Sequence, residues 1–183
     1  MNENQNLLIQ NPELAKQWHP TKNGELTPED VTVSSNRKVW WLLAFDDPRT
    51  GKHFDFEWEA TVAARIRSGE CPFLSGRMVW IGFNDLETLN PELAKEWHPS
   101  KNGDLTPRDV TPYSMKKIWW IYPYDDPRTG EHFDFEWKAS VATRNNGNTC
   151  PFLRGKGRVR RFRRLDSKLA SGWHSIRNEK LIP

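Results

Sequence analysis

Cysteine is scarce: the 183-residue chain holds two, too few for a disulfide framework. No apolar run reaches the roughly 18 residues that a membrane-spanning helix needs. The opening segment MNENQNLLIQ lacks a basic stretch followed by an apolar one, so no secretory leader is expected. A glycine-rich phosphate loop and a helical His-Glu-x-x-His motif are absent, and no cysteine–histidine nucleophile pair stands out. These absences lead to the expectation of a reducing, cytoplasmic setting, no membrane partner and no enzymatic activity.

What is present is aromatic and unevenly charged. Ten tryptophans and nine phenylalanines supply core material. The net charge of +3 hides a split: residues 154–183 carry ten Lys/Arg and two Asp/Glu, whereas residues 1–153 carry seventeen and twenty-two. Any attraction to nucleic acid is therefore expected to reside in the C-terminal part.

Internal repetition decides the organisation. Residues 11–74 align without a gap on 90–153 at an offset of 79, with 42 of 64 positions identical. NPELAK, WHP, KNG, LTP, DVT, WW, DDPRTG, HFDFEW and CPFL all recur. A partial third copy follows, LASGWHSIRNEKLIP at 169–183 against LAKEWHPSKNGDLTP at 93–107. The expected division is a first repeat over 1–76, a linker over 77–89, a second repeat over 90–153, a basic segment over 154–165 and a capping part-repeat over 166–183. Terminal copies often cap repeat proteins, and Trp173-His174 is expected to do so here.

Each repeat reads in two halves. Asn11 is a helix cap, Pro12 suits the first helical position and Glu13 the first turn, so PELAKQW reads as a short helix. KNG turns the chain, and TPED starts a helical turn near Pro28–Val31. KVWWLL is a strand by its β-branched and aromatic content, and DDPRTG is a turn. The return strand alternates, with Phe54, Phe56, Trp58, Ala60 and Val62 on one face, and it is expected to run into a helical turn at AARIR. Repeat 2 offers Phe133, Phe135, Trp137, Ala139 and Val141 in the same register. Trp40 and Trp41 must face opposite sides. One is expected to meet the return strand's aromatics and the other the Trp18-His19 segment. An aromatic core is the plain reading, and a base-stacking platform requires an exposed ring. The fold expected is α+β, two small tandem modules of short helix plus β-hairpin.

The segments NPELAKEWHPSKNGDLTPRDVTPYSMKKIWW, EWKASVATR, CPFL and GFNDLETLNPELA resemble a bacterial family described as a probable zinc-ribbon, or treble-clef, domain. The resemblance covers nearly the whole chain. It implies tandem ribbon modules that sometimes stand beside nuclease domains, and hence a role in DNA or RNA transactions. The family pattern implies four cysteine ligands per repeat, and those positions fall here on Leu43, Phe54, Cys71 and Leu74, and on Tyr122, Phe133, Cys150 and Leu153. Three of four ligands are missing in both copies. A structural zinc needs about four ligands, so no cofactor is expected. A zinc-free ribbon is expected instead, with these residues forming an apolar cluster in which Leu74 meets Leu43 and Phe54, and Leu153 meets Tyr122 and Phe133. Two other arrangements stay open: a site of Cys71, His53 and nearby carboxylates, and a Cys71–Cys150 disulfide. The histidines His19, His98 and His174 are expected to pack on neighbouring tryptophans. Arg65 and Arg144 are expected to make structural hydrogen bonds to backbone.

Asp126, Glu136 and Lys138 look superficially like a nuclease triad, but strand alternation accounts for them and repeat 1 has Glu59 at the lysine position. RGKGRVRRFRR at 154–164 places seven cations in eleven residues, a density suited to phosphate contact. Arg154, Lys156, Arg158, Arg160, Arg161, Arg163 and Arg164 are thus the candidate nucleic-acid contacts, and Phe162 could stack on a base or pack on the ribbon. The expected function is non-catalytic binding of DNA or RNA. The alternative is a protein-binding or inhibitory module that docks on a nuclease or ribonucleoprotein complex, as small phage-encoded inhibitors do.

Overall fold

The computed structural model describes residues 5–154. The basic segment beyond Arg154 and the part-repeat at 166–183 lie outside the described residues, as does the Arg154 side chain. The chain divides between Met78 and Val79 into two compact units.

In the first unit, α1 (Leu7–Gln10) and α2 (Pro12–Ala15) are single turns. Each is capped by an asparagine: Asn6 Oδ1 accepts from Ile9 N and Asn11 Oδ1 from Leu14 N, both at 3.0 Å. The expected helix through Trp18 ends at Ala15 because the next residues are captured by a strand edge. Leu42 N donates to Gln17 O at 2.8 Å and His19 N to Trp40 O at 3.0 Å, with Trp18 paired to Trp41 between them. A 3-10 turn at Pro28–Asp30 follows. It is closed by Asp30 Oδ2, which accepts from Thr27 N at 2.8 Å and from Thr27 Oγ1 at 2.6 Å.

The hairpin is β1 (Lys38–Asp46) and β2 (His53–Thr61). Trp41 lies opposite Trp58, Leu43 opposite Phe56 and Phe45 opposite Phe54. Directly opposed residues share a face, so this face is the core side, with Trp41 and Phe56 fully buried. Trp41 takes both expected roles: it faces the return strand's aromatics and also meets Trp18 edge-on, 5.6 Å between centroids. Its Nε1–H donates to Ala60 O at 3.1 Å, so the buried indole is satisfied. Trp40 points the other way. Helix α3 (Val62–Ser68) continues straight from β2, with Thr61 Oγ1 accepting from Ala64 N at 3.1 Å.

The second unit repeats this plan with α4 (Leu86–Leu89), α5 (Pro91–Ala94), a 3-10 turn at Pro107–Asp109, β3 (Lys117–Asp125), β4 (His132–Ser140), α6 (Val141–Asn145) and α7 (Pro151–Arg154). Residues 79–89, expected as a linker, instead begin this unit. Leu86 is fully buried among Leu93, Val110, Ile118, Trp120 and Trp137, and its N–H donates to Val110 O at 2.8 Å. Leu7 does the same in the first unit toward Val31 O, also at 2.8 Å. The repeat therefore begins earlier than the identity between copies suggests: LLIQ and LETL share too few residues to align by eye, yet each buries its first leucine. Pro123 sits within β3 without disturbing the hairpin. Trp119 and Ile121, four and two residues earlier, turn their N–H groups to the outer edge, toward Asn102 Oδ1 and Glu96 O. A proline in that phase forfeits no bond to β4.

Candidate functional site

The corner that carries CPFL is built differently in the two units. Cys71 is buried at the end of the segment after α3, and Phe73 follows it into the core. Phe73 lies 5.3 Å from Phe56 and 6.1 Å from Trp58 between ring centroids. Leu74, expected against Leu43 and Phe54, is 42 % exposed, and Phe73 is 4 % exposed. The cause is the turn: Ser75 N returns to Cys71 O at 3.0 Å and Met78 N to Pro72 O at 3.0 Å, a curl that sends consecutive side chains to opposite sides. Leu43 and Phe54 are half-buried on the core face of the hairpin, and Phe54 stacks on Phe56 at 5.7 Å.

In the second unit the same tetrapeptide winds into α7. Cys150 is buried in the main cluster, with Tyr122 and Leu153 packed against it. Phe133 joins through Phe135, 5.9 Å away and nearly parallel. Here Phe152 is the exposed member, though its ring still stacks on Phe135 at 5.1 Å. Both cysteines are free and buried. Burial pushes the Cys150 thiol above its usual value, against hydrogen bonds from the Phe152 and Leu153 backbone.

Behind each corner stands a buried arginine. Arg65 is 4 % exposed and Arg144 is 7 % exposed. Arg65 donates from Nη2 to Gln17 Oε1 at 2.7 Å and lies 5.6 Å from the Trp58 ring. Burial pushes its guanidinium below the usual value; the Cys71 sulfur opposes that shift and the Arg77 charge adds to it. Arg144 is held more completely, by the Glu96 carboxylate, the Asn148 carbonyl and the rings of Trp120 and Trp137 at 5.4 and 5.2 Å. The expected backbone bond is thus made by Arg144, while the side-chain bond of Arg65 goes to Gln17.

On the opposite face, a polar network surrounds Trp40 and Trp119, both half-buried. Asn23 clamps the Trp40 backbone: Oδ1 accepts from Trp40 N at 2.8 Å and Nδ2 donates to Trp40 O at 2.9 Å. Asn102 does the same for Trp119 at 2.7 and 2.9 Å. His19 is buried, and its Nδ1 accepts from Thr21 N and Lys22 N at 3.2 and 3.1 Å. The ring proton therefore sits on Nε2, which donates to Glu57 Oε1 at 3.2 Å. Lys22 completes an ion pair with Glu57 and lies 4.6 Å from the Trp40 ring. The second unit repeats this with His98, Glu136 and Lys101, and adds Lys138 at 5.1 Å from Trp119. The WHP histidines are thus anchors of a loop, bonded to a carboxylate. Lys22 and His19 hold the Glu57 carboxyl below its usual range, and Lys101 and His98 do the same for Glu136.

At the hairpin tip, buried Asp47 organises DDPRTG. It accepts from Arg49 N at 3.0 Å, Arg49 Nε at 2.9 Å and Thr50 Oγ1 at 3.0 Å. The Arg49 bonds hold its carboxyl at about 2. Asp126 plays the same part with Arg128. Gly51 closes the turn at φ +68, a conformation that favours glycine. His53, exposed, bridges Asp46 at 2.6 Å and Asp55 at 3.2 Å, and both raise its pKa.

These placements separate the residues that looked like a nuclease. Asp126 is buried in the tip loop, Glu136 belongs to the His98 network and Lys138 lies over Trp119. The clamp by Asn23 was missed at the sequence level, as was the organising role of Asp47 within the expected DDPRTG turn. The available signal was that KNG and DDPRTG recur intact in both copies.

Residues 14–76 and 93–152 both match the probable treble clef zinc finger domain, together more than half of the chain. The chain belongs to that family. No match was found among curated proteins. The residues present do not fit the zinc that the family description names. Leu43, Phe54 and Leu74 offer only carbon, as do Phe133 and Leu153, and Tyr122 offers a phenol. One thiol per unit cannot complete a tetrahedron of about four ligands. Among the described residues, no group of three or more His, Cys, Asp or Glu side chains is placed to share a metal ion. No helix among them is long and apolar enough to cross a membrane.

Proposed function

We propose that this family member is a non-catalytic nucleic-acid-binding protein that contacts phosphates through the segment after α7. The observation that carries this reading is the run of seven cations in residues 154–164, attached to a body of opposite net charge. Membership of a treble clef family supports a binding role in general. The ribbons act as metal-independent scaffolds, and Cys71 and Cys150 serve as small buried apolar groups. Because the contacts are to phosphate, binding is weakly sequence-specific and strongly salt-dependent. The test is fluorescence anisotropy with single-stranded RNA and duplex DNA. Affinity is expected to fall roughly a thousandfold between 50 and 200 mM salt if about seven phosphates are contacted. Replacing Arg158, Arg160, Arg161, Arg163 and Arg164 with alanine should remove most of it. Salt-insensitive binding, or none, refutes the reading.

A second reading is docking on a protein, such as a nuclease or ribonucleoprotein complex. It is favoured by the exposed Tyr113 and Met115 of the second unit, 70 % and 76 % exposed, since large apolar side chains at the surface suit protein contacts. A stoichiometric protein complex without affinity for free DNA or RNA would select it.

A further inference from the structure

The two buried arginines differ in one respect. Glu96 neutralises Arg144 from inside the second unit. The equivalent position in the first unit is Gln17, which bonds Arg65 but brings no charge. Among the described residues no carboxylate pairs with Arg65, although its side chain is almost fully enclosed. Its Nε has no hydrogen-bond partner, a feature it shares with Arg144 Nε, so the difference between the two lies in the missing carboxylate. The Trp58 ring attracts the guanidinium face but cannot neutralise it. A buried cation left unpaired is costly, and one that a protein retains calls for an explanation.

The surroundings supply one. Arg65 lines an open groove of about 510 Å³ in the first unit, together with Trp58, Arg67, Ser68, Pro72 and Arg77. Arg67 and Arg77 are exposed at this groove, as are Glu59 and Glu70. Three arginines thus line one groove with Trp58, Arg65 lying at its ring and Arg77 donating to Ser75 Oγ and Glu70 O at 2.9 and 3.2 Å. Arg144 also borders a groove of about 510 Å³, and there Glu96 is ion-paired with it, whereas neither Glu59 nor Glu70 pairs with Arg65.

We infer that the groove beside Arg65 is a binding site for a phosphate group, which supplies from outside the counter-charge that Glu96 supplies internally in the second unit. Three arginines suit a dianionic phosphate better than a monoanionic carboxylate, and the guanidinium fork matches phosphate oxygens geometrically. Trp58 and Pro72 give room for an apolar or aromatic body carrying that phosphate. The site uses none of the residues of the basic segment at 154–164, so it does not rest on the nucleic-acid reading.

The test uses the full chain and inorganic phosphate, titrated by calorimetry at constant ionic strength, with acetate as comparison. Saturable binding of one phosphate per chain is expected, with acetate at least tenfold weaker. Gln17→Glu installs the internal carboxylate of the second unit; it should raise the melting temperature and weaken phosphate binding at least tenfold. Arg65→Lys, which keeps the charge but loses the fork, should weaken it as well. Alanine replacement of the five arginines between 158 and 164 should leave this site intact, separating it from nucleic-acid binding. No saturable phosphate binding, equal affinity for acetate, or unchanged affinity in Gln17→Glu overturns the inference.

Discussion

Asn23→Ala tests how the hairpin is held to the rest of its unit. Trp40 N–H and C=O both point away from β2, toward the outer edge of β1. The N–H has Asn23 Oδ1 at 2.8 Å; the carbonyl has Asn23 Nδ2 at 2.9 Å and His19 N at 3.0 Å. Truncation removes two good bonds and leaves the N–H without a protein partner, while His19 still serves the carbonyl. At about 1 kcal/mol net per neutral hydrogen bond, the loss is about 2 kcal/mol. For a unit of this size that lowers the melting temperature by roughly 8–15 °C. Thermal unfolding followed by tryptophan fluorescence and circular dichroism reads the change. Asn102→Ala should cost the second unit a similar amount, because its clamp distances are 2.7 and 2.9 Å. Asn23→Asp separates the two bonds: it keeps the acceptor for Trp40 N and loses the donor to Trp40 O, so it should fall between wild type and alanine. A melting curve unchanged in Asn23→Ala would refute the clamp. So would Asn23→Asp being as stable as wild type, for the second bond.

Metal removal should do nothing: with EDTA in excess, the melting temperature and far-ultraviolet dichroism should stay the same, and a drop would show that a metal holds the fold. Glu96→Gln strands the Arg144 charge; discounting a buried-pair loss of 3–5 kcal/mol for the 23 % exposure of Glu96 gives roughly 2–3 kcal/mol, readable by urea unfolding. Stability should fall on both sides of weak acidity. Asp47, Glu57 and Glu136 titrate lower when folded, so their contribution is present above the unfolded carboxylate value of about 4 and is lost as pH falls through the lowered folded values, about 2 for Asp47. His53 and His132 titrate higher when folded, so theirs is complete below about 6.5 and is lost as pH rises beyond it. Urea midpoints at pH 3, 6 and 8 check both signs, and a midpoint that rises from pH 6 to 8 contradicts the histidine assignment.

Strand alternation, the asparagine-proline caps and the DDPRTG turn were legible because each follows from local chemistry. The short end of α2 was not, because it is set by Trp41 more than twenty residues away. Leu7 and Leu86 were missed for a related reason: a single buried leucine in an otherwise polar turn gives no periodic signal. CPFL misled at its fourth residue. Position in a ligand pattern pointed to Leu74, whereas the direction of a side chain in a tight curl depends on backbone geometry that composition does not carry. Of the candidate site, the pairing of Arg65 with Gln17 required the fold, since forty-eight residues separate them.

The differences between the two copies say where function is placed. The shared positions include Trp18, His19, Asn23, Trp41, Asp47 and Glu57, which tie loop, hairpin and tip together in each unit. Positions that differ include Leu43 against Tyr122 at the corner, the buried pair Val39 against Ile118, and residues at the surface. Phe73 enters one core while Leu153 packs on the other, so each corner reaches a filled interior by its own route. At the surface, Ser34 and Asn36 of the first unit stand against Tyr113 and Met115 of the second, and Glu59 stands against Lys138. Gln17 against Glu96 leaves one arginine open to an outside anion and closes the other. The units are therefore one scaffold used twice with unlike surfaces, and a ligand or partner that meets one has no reason to meet the other in the same way.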